Sequence, residues 1–323
     1  MRRFLSEVDE HLGTALAADP AVTALFFSAV DPDAAALGLL RVVESARTGD
    51  DEDLLEALRG ESLESGSGLL PRLATVAGTS DALTDHLVRH PSSALTLRGE
   101  GPLLLESPGS GAEALRDVLL HAVGADSDRD VTSPVATRAG QEGVDALRRT
   151  YRDHVLQLVA DDLGSQSPEA VVDEVCRILS DLAGAAVEAA LAIARAELDS
   201  EARVRMAVIA MGKCGARELN YVSDVDVVYV HAPGDDAPED ATAPDDEAVR
   251  TAEEMVARIT EIVGAAGQEP ALWELDAALR PEGRSGRLLR TVDEFDAYYD
   301  DVAESWEFQA LLKSRHLAGD VYL

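Results

Sequence analysis

The segment 211–230, MGKCGARELNYVSDVDVVYV, holds the residues whose types and spacing could do chemistry. Asp224 and Asp226 stand one residue apart at the start of a valine-rich run. In an extended strand, residues i and i+2 share a face, so both carboxylates project together while Val225 and Val227 turn into a core. Gly212, twelve residues before Asp224, is a point where backbone can approach a ligand closely. Carboxylates so placed hold divalent cations about 3.5–4 Å apart, neutralise phosphate charge and activate an attacking oxygen, as two-metal phosphoryl or nucleotidyl transfer requires. Gly212 and Gly215 add backbone N–H groups, and Ser223 a hydroxyl, for phosphate oxygens. The G-x-x-x-x-G-K-[ST] pattern of a P-loop is absent.

A third acid comes from downstream. Residues 272–279 alternate, with Trp273, Leu275, Ala277 and Leu279 on one face and Glu274, Asp276 and Ala278 on the other. Asp276 can therefore reach the face that bears Asp224 and Asp226, with Glu274 as its rival. The cations are also informative: the chain has 26 Arg but only two Lys, Lys213 and Lys313, and a compact ammonium suits phosphate.

The elements that must position these residues are legible in part. Strands are predicted at 205–211, 224–231 and 272–279, with a crossing helix at 247–265 between the second and third. An acidic loop spans 233–246. Upstream, two long helices are expected over 144–163 and from the Ser167-Pro168-Glu169 start to 198. The first carries Leu147, Tyr151, Val155 and Leu158 on one stripe. The second buries Val172, Val175, Leu179, Leu182 and Ala186. His154 reads as a packed or surface histidine. Residues 1–140 form short helices, including 21–30, 33–46 and 81–89, with loops at 99–111 and 125–143. After the turn at 281–286 the chain is expected to be helical from 292 through 315.

Composition narrows the function. A net charge of −33 opposes binding to nucleic-acid backbone or to anionic membrane surfaces. It reads as a solvated acidic surface. Two cysteines, Cys176 and Cys214, carry no pairing or zinc-site pattern. No secretory signal is visible, and the longest apolar run is interrupted by Glu188, so a cytoplasmic location is expected. The ending Val321-Tyr322-Leu323 reads as a cut, and the chain as a fragment of a longer protein.

Gly212-Lys213-Cys214-Gly215-Ala216-Arg217-Glu218-Leu219-Asn220-Tyr221-Val222-Ser223-Asp224-Val225-Asp226 is similar to the signature of the bifunctional glutamine synthetase adenylyltransferase/adenylyl-removing enzymes. The stretches 274–286 (ELDAALRPEGRSG), 306–315 (WEFQALLKSR) and 81–91 (DALTDHLVRHP) resemble the same family, in its actinobacterial form and its amino-terminal half. The resemblance implies an α+β fold: a polymerase-β-like nucleotidyltransferase core, a short mixed sheet with flanking helices, preceded by a helical region and followed by the start of a helical domain. The implied division is 1–140, 141–290 and 291–323. By the same resemblance, Asp224, Asp226 and Asp276 are catalytic and bind metal, two Mg²⁺ ions in all. Gly212 and Ser223 cradle phosphate, and Lys213, Arg280, Lys313 and Arg315 contact phosphate or ribose. The implied reaction removes AMP from a tyrosine of glutamine synthetase, with phosphate as acceptor and ADP as product. The same site run with ATP in the adenylylating direction, or a non-catalytic module sensing nucleotide or a PII signalling protein, are the alternatives.

Overall fold

The computed structural model describes residues 1–60, 68–99, 102–105, 107–126, 132–198, 204–234 and 246–323. The chain forms two compact units, one of residues Met1–Pro108 and Arg152–Val175, the other of Gly109–Tyr151 and Cys176–Leu323.

The first unit is built on helices α1 (Arg2–Leu12), α2 (Pro20–Ser28), α3 (Pro32–Thr48), α4 (Glu52–Arg59), α5 (Leu69–Ala77) and α6 (Asp81–Arg89). Their starts follow from local chemistry. The side chains of Asp19, Asp31, Asp51 and Ser80 accept from the otherwise unpaired N–H groups of the first turns, and Pro20 and Pro32 occupy first helical positions. Leu5, Phe26, Leu39, Leu54, Leu73 and Leu87 fill the core. Asp161, nearly buried, receives the backbone N–H groups of Leu103, Leu104 and Leu105.

The second unit carries α7 (Ala112–Ala122), which lies between the two expected loops, and parts of α8 (Gly140–Gly164) and α9 (Pro168–Leu198). The sheet follows: β1 (Val204–Ala210), the short α10 (Gly212–Gly215), β2 (Val225–Pro233), α11 (Asp246–Gly264), β3 (Leu275–Asp276), β4 (Leu289–Thr291), α12 (Val292–Asp301), α13 (Ser305–Leu311) and β5 (Arg315–Gly319). Its order is β3-β2-β1-β5, with β4 also on β2. β1 runs antiparallel to β2 and to β5, while β3 and β4 lie parallel to β2. The parallel pairing of β2 and β3 across α11 sets Asp226 opposite Asp276. Together these elements make an α+β fold.

Several expectations need correction. The third strand is two residues long, not eight, because Arg280 donates to the carbonyls of Ala277, Arg284 and Gly286 and folds the chain into a turn directly after Asp276. The helix expected over 292–315 is broken. α12 ends at Asp301, a capping box between Glu304 and Glu307 restarts the chain as α13, and the chain then extends as β5. Residues past 290 thus supply β5, which pairs with β1 on the side away from β2. β5 was obscured because RHLAG lacks β-branched alternation, and pairing with β1 makes it a strand. Val172 lies half exposed rather than on a buried face. The helix start at Gly140 shortens the loop read over 125–143, of which 127–131 lie outside the described residues. The acidic loop at 233–246 falls largely outside them too, at 235–245.

Two buried polar groups hold this unit in register. Arg148 on α8 donates to the carbonyls of Ile262, Ala265 and Glu269, satisfying the C-terminal end of α11 and fixing the chain that leads into β3. Glu188 on α9, also buried, accepts from the N–H of Gly319 and so ties α9 to β5. Among the described residues no single helix is long and apolar enough to cross a membrane.

The closest backbone approach lies at Gly215, where an added Cβ would come within 1.8 Å of the carbonyl oxygen of Lys313 and 2.8 Å of that of Ala210. Both are main-chain atoms that cannot swing away. Gly215→Ala is therefore expected to lower unfolding stability by at least about 1–3 kcal/mol in a denaturant titration, the cost of overpacking. Gly164→Ala, at the end of α8 with open space around it, should leave the midpoint close to the parent value.

Candidate functional site

The site is built where β1, β2 and β3 end around one glycine turn. The N–H of Met211 donates to the carbonyl of Asp226 at 2.8 Å, which lays the β1 end against β2. The chain then reverses at Gly212 with φ of +52°. Any side chain at Gly212 would collide with Asp226, since its Cβ would lie 2.2 Å from Oδ2. Gly212 therefore makes room for the carboxylate as well as for the turn.

Asp224, Asp226 and Asp276 each offer a carboxylate oxygen, all within 4.8 Å of one another. Asp224 is exposed and the other two are partly buried. Glu274, the rival for the third position, is exposed, and its carbonyl accepts from the N–H of Val225. Burial, then the neighbouring charges of Asp224 and Asp276, push the Asp226 carboxyl above its ordinary range, with Lys213 pulling the other way. Three acids in one small space favour a cation between them, and an all-oxygen set suits a hard divalent ion such as Mg²⁺. The residues present therefore fit the metal that the sequence implies.

Around the acids, Lys213 donates to Asn220 Oδ1 and to Ser223 Oγ, and Ser223 in turn donates to Asp224 Oδ1 at 3.3 Å. Gly212, Lys213 and Ser223 are thus brought to the carboxylates. The remaining candidates are engaged by other partners. Every donor nitrogen of Arg280 is engaged by main-chain carbonyls of its own turn. Lys313 pairs with Glu218 at 2.6 Å. Arg315 donates to the carbonyls of Cys214 and Gly215 from behind the glycine turn. Arg280 and Arg315 shape the loops that carry the site.

Sequence reasoning passed over two residues here. Arg284, in the turn that Arg280 folds, is largely exposed and places Nη2 3.3 Å from Asp276 Oδ2, a cation resting on the acid cluster. Asp181 on α9 is buried and faces Arg177, Arg217 and Arg315, while its neighbour Ser180 accepts from the N–H of Leu219. The signal was available: Asp181 and Glu188 lie two helical turns apart in the apolar middle of α9, and an acid buried there must have partners. Cys214 is buried, and burial raises its thiol to about 11, so it remains protonated near neutrality.

The raised Asp226 carboxyl has a thermodynamic consequence. A carboxyl whose folded pKa exceeds its unfolded one stabilises the fold while protonated, and that contribution is lost as pH rises through the folded value. At pH about 7 the crowded carboxylates therefore work against folding, and a bound cation relieves them. Asp226→Asn should raise the melting temperature of metal-free protein at neutral pH and abolish the further rise that Mg²⁺ gives the parent chain. The advantage of Asn should shrink as pH falls through the carboxylate range and the acid takes up its proton. A variant that melts lower than the parent at neutral pH and still responds to Mg²⁺ would contradict this reading.

The family model described as glutamate-ammonia ligase adenylyltransferase matches residues 70–323. The chain is similar to proteins named bifunctional glutamine synthetase adenylyltransferase/adenylyl-removing enzyme. It is 40% identical over 252 residues to that of Cutibacterium acnes, covering 78% of this chain and 24% of the relative. With that of Leifsonia xyli it shares 44% over 259 residues, 77% of this chain and 24% of the relative. With that of Mycobacterium tuberculosis it shares 42% over 301 residues, 91% of this chain and 26% of the relative. The chain thus spans about a quarter of the length of the curated relatives it matches. A three-carboxylate cluster on a glycine-turn sheet, within a sequence matched by that model over most of its length, makes this chain a member of the glutamate-ammonia ligase adenylyltransferase family.

Proposed function

We propose that this chain carries out metal-dependent nucleotidyl transfer that regulates glutamine synthetase, and that it works in the direction of AMP removal. The observation that carries the reading is the convergence of Asp224, Asp226 and Asp276 beside Lys213 and the Gly212 turn. The relatives' names supply the protein substrate, and the resemblance to the family's amino-terminal half supplies the direction. Cytoplasmic location and contact with a PII signalling protein belong to the same proposal.

In this reading a phosphate oxygen attacks the phosphorus of the AMP–tyrosine diester. The phosphorus–phenolic oxygen bond breaks, the phenolate leaves and takes up a proton, and ADP is formed. Asp224, Asp226 and Asp276 would hold Mg²⁺, which when bound offsets charge on the entering and leaving oxygens. Lys213, steadied by Asn220 and Ser223, presents its ammonium beside the same carboxylates and can pair with a phosphate oxygen. Arg284, resting on Asp276, is a cation that a metal would displace from that oxygen. Inorganic phosphate is already anionic near neutrality, so a general base is not required. Positioning and charge neutralisation carry the rate.

Asp224→Asn should lower Mg²⁺-dependent release of ADP from adenylylated glutamine synthetase and phosphate by at least roughly 100-fold, the scale of losing one essential electrostatic contact. Undiminished turnover would sink the catalytic role. Incubation with ATP and unmodified glutamine synthetase checks direction: no AMP incorporation is expected, and efficient incorporation would reverse the assignment.

A further inference from the structure

A cavity of about 470 Å³ is lined by Asp224 of the acid cluster together with Lys213 and Ser223. Its other walls include Tyr221, Val222, Leu272 and Trp273. Apolar side chains at this place are not consumed by a core. Tyr221 is 42% and Val222 89% exposed, in a chain with only 4% aromatic residues. Trp273 is held in place: its Nε1–H donates to the Tyr151 hydroxyl at 3.0 Å, and the two rings meet edge-on with centroids 6.4 Å apart. The indole's polar atom is thus satisfied by the scaffold, and its ring borders the cavity. A cavity whose lining combines a fixed indole and a tyrosine with a carboxylate and an ammonium suits a flat apolar ring joined to a phosphate.

We propose that this cavity is the nucleoside subsite, taking the adenine and ribose of the adenylyl group, with the base against Trp273 and Tyr221 and the phosphate directed to Lys213 and the Asp224 side. The assignment rests on the adenylyl-transfer reading above and extends it to residues outside the metal cluster. The volume accommodates a base together with its ribose and exceeds what a lone phenol ring needs. Stacking also answers a difficulty of this chain: at a net charge of −33 the field opposes a nucleotide, so affinity must come from the bound cation and from contacts indifferent to charge.

The chain has two tryptophans, and Trp306 is exposed and not among the residues lining this cavity, so Trp306→Phe leaves Trp273 as the single indole reporter. Titration of that variant with Mg²⁺ and ADP should quench its fluorescence saturably. By calorimetry, Trp273→Leu should bind ADP about 10-fold more weakly, as expected for loss of one stacked base, while Trp273→Phe stays within about 3-fold. Tyr221→Ala, which leaves the Trp273–Tyr151 bond untouched, should weaken ADP several-fold as well. Mg²⁺ affinity should be unaltered in all three. ADP affinity unchanged in Trp273→Leu and Tyr221→Ala would overturn the assignment. So would a rise confined to KM for the adenylylated protein, which would give the cavity to the tyrosyl side. If the ADP pattern holds but the parent chain releases no ADP from adenylylated glutamine synthetase, the subsite stands and the phosphorolysis reading falls.

Discussion

Three like charges forced into one small space are the constraint on which the rest of this unit depends. Carboxylate oxygens of Asp224, Asp226 and Asp276 lie within 4.8 Å of one another, a spacing at which each charged pair repels by on the order of 3 kcal/mol at the effective dielectric of a protein surface. Solvent at Asp224 weakens this, and partial burial of the other two strengthens it. A fold holds such a cluster only if its backbone is fixed independently of the side chains. Here the parallel register of β2 and β3 sets Asp226 opposite Asp276, and the antiparallel pairing of β1 with β2 sets the glycine turn beside them. Arg284 offsets part of the charge from one side, and Lys213 from the other.

Much of the surrounding architecture reads as support for that geometry. Arg148 secures the end of α11 and the approach to β3. Arg280 folds the turn behind Asp276, and Arg315 grips the carbonyls of the glycine turn. Asp181 on α9 is the counter-charge that faces Arg315, Arg177 and Arg217. Arginine suits these posts because its planar fork can satisfy several carbonyls at once while keeping its charge. Lys213 and Arg284, by contrast, stand beside the carboxylates themselves.

The convergence of the three acids was legible in the sequence because its logic is local. The D-x-D alternation needs only the two-residue period of a strand, and the alternation of 272–279 placed Asp276 on the matching face even though the strand proved far shorter. The long helices α8 and α9 were equally plain from apolar spacing and the Ser167-Pro168 start. What could not be read depends on pairings distant in sequence. β5 is a strand because β1 lies next to it. That Arg280 and Arg315 bond main-chain carbonyls is invisible in the sequence, because a free arginine and one so engaged look alike in one dimension. Alternation places Trp273 on one face of a strand, whereas its position follows from where the chain bends and from the Tyr151 hydroxyl, 122 residues away, that holds it.

The central claim, that these three acids form one metal centre, is tested most directly by placing Mn²⁺ in crystals and locating it by anomalous scattering. The account predicts a peak coordinated by carboxylate oxygens of Asp224, Asp226 and Asp276, with the Arg284 guanidinium moved off Asp276. No peak at the cluster, or an ion held by Glu274 in place of Asp276, would contradict it.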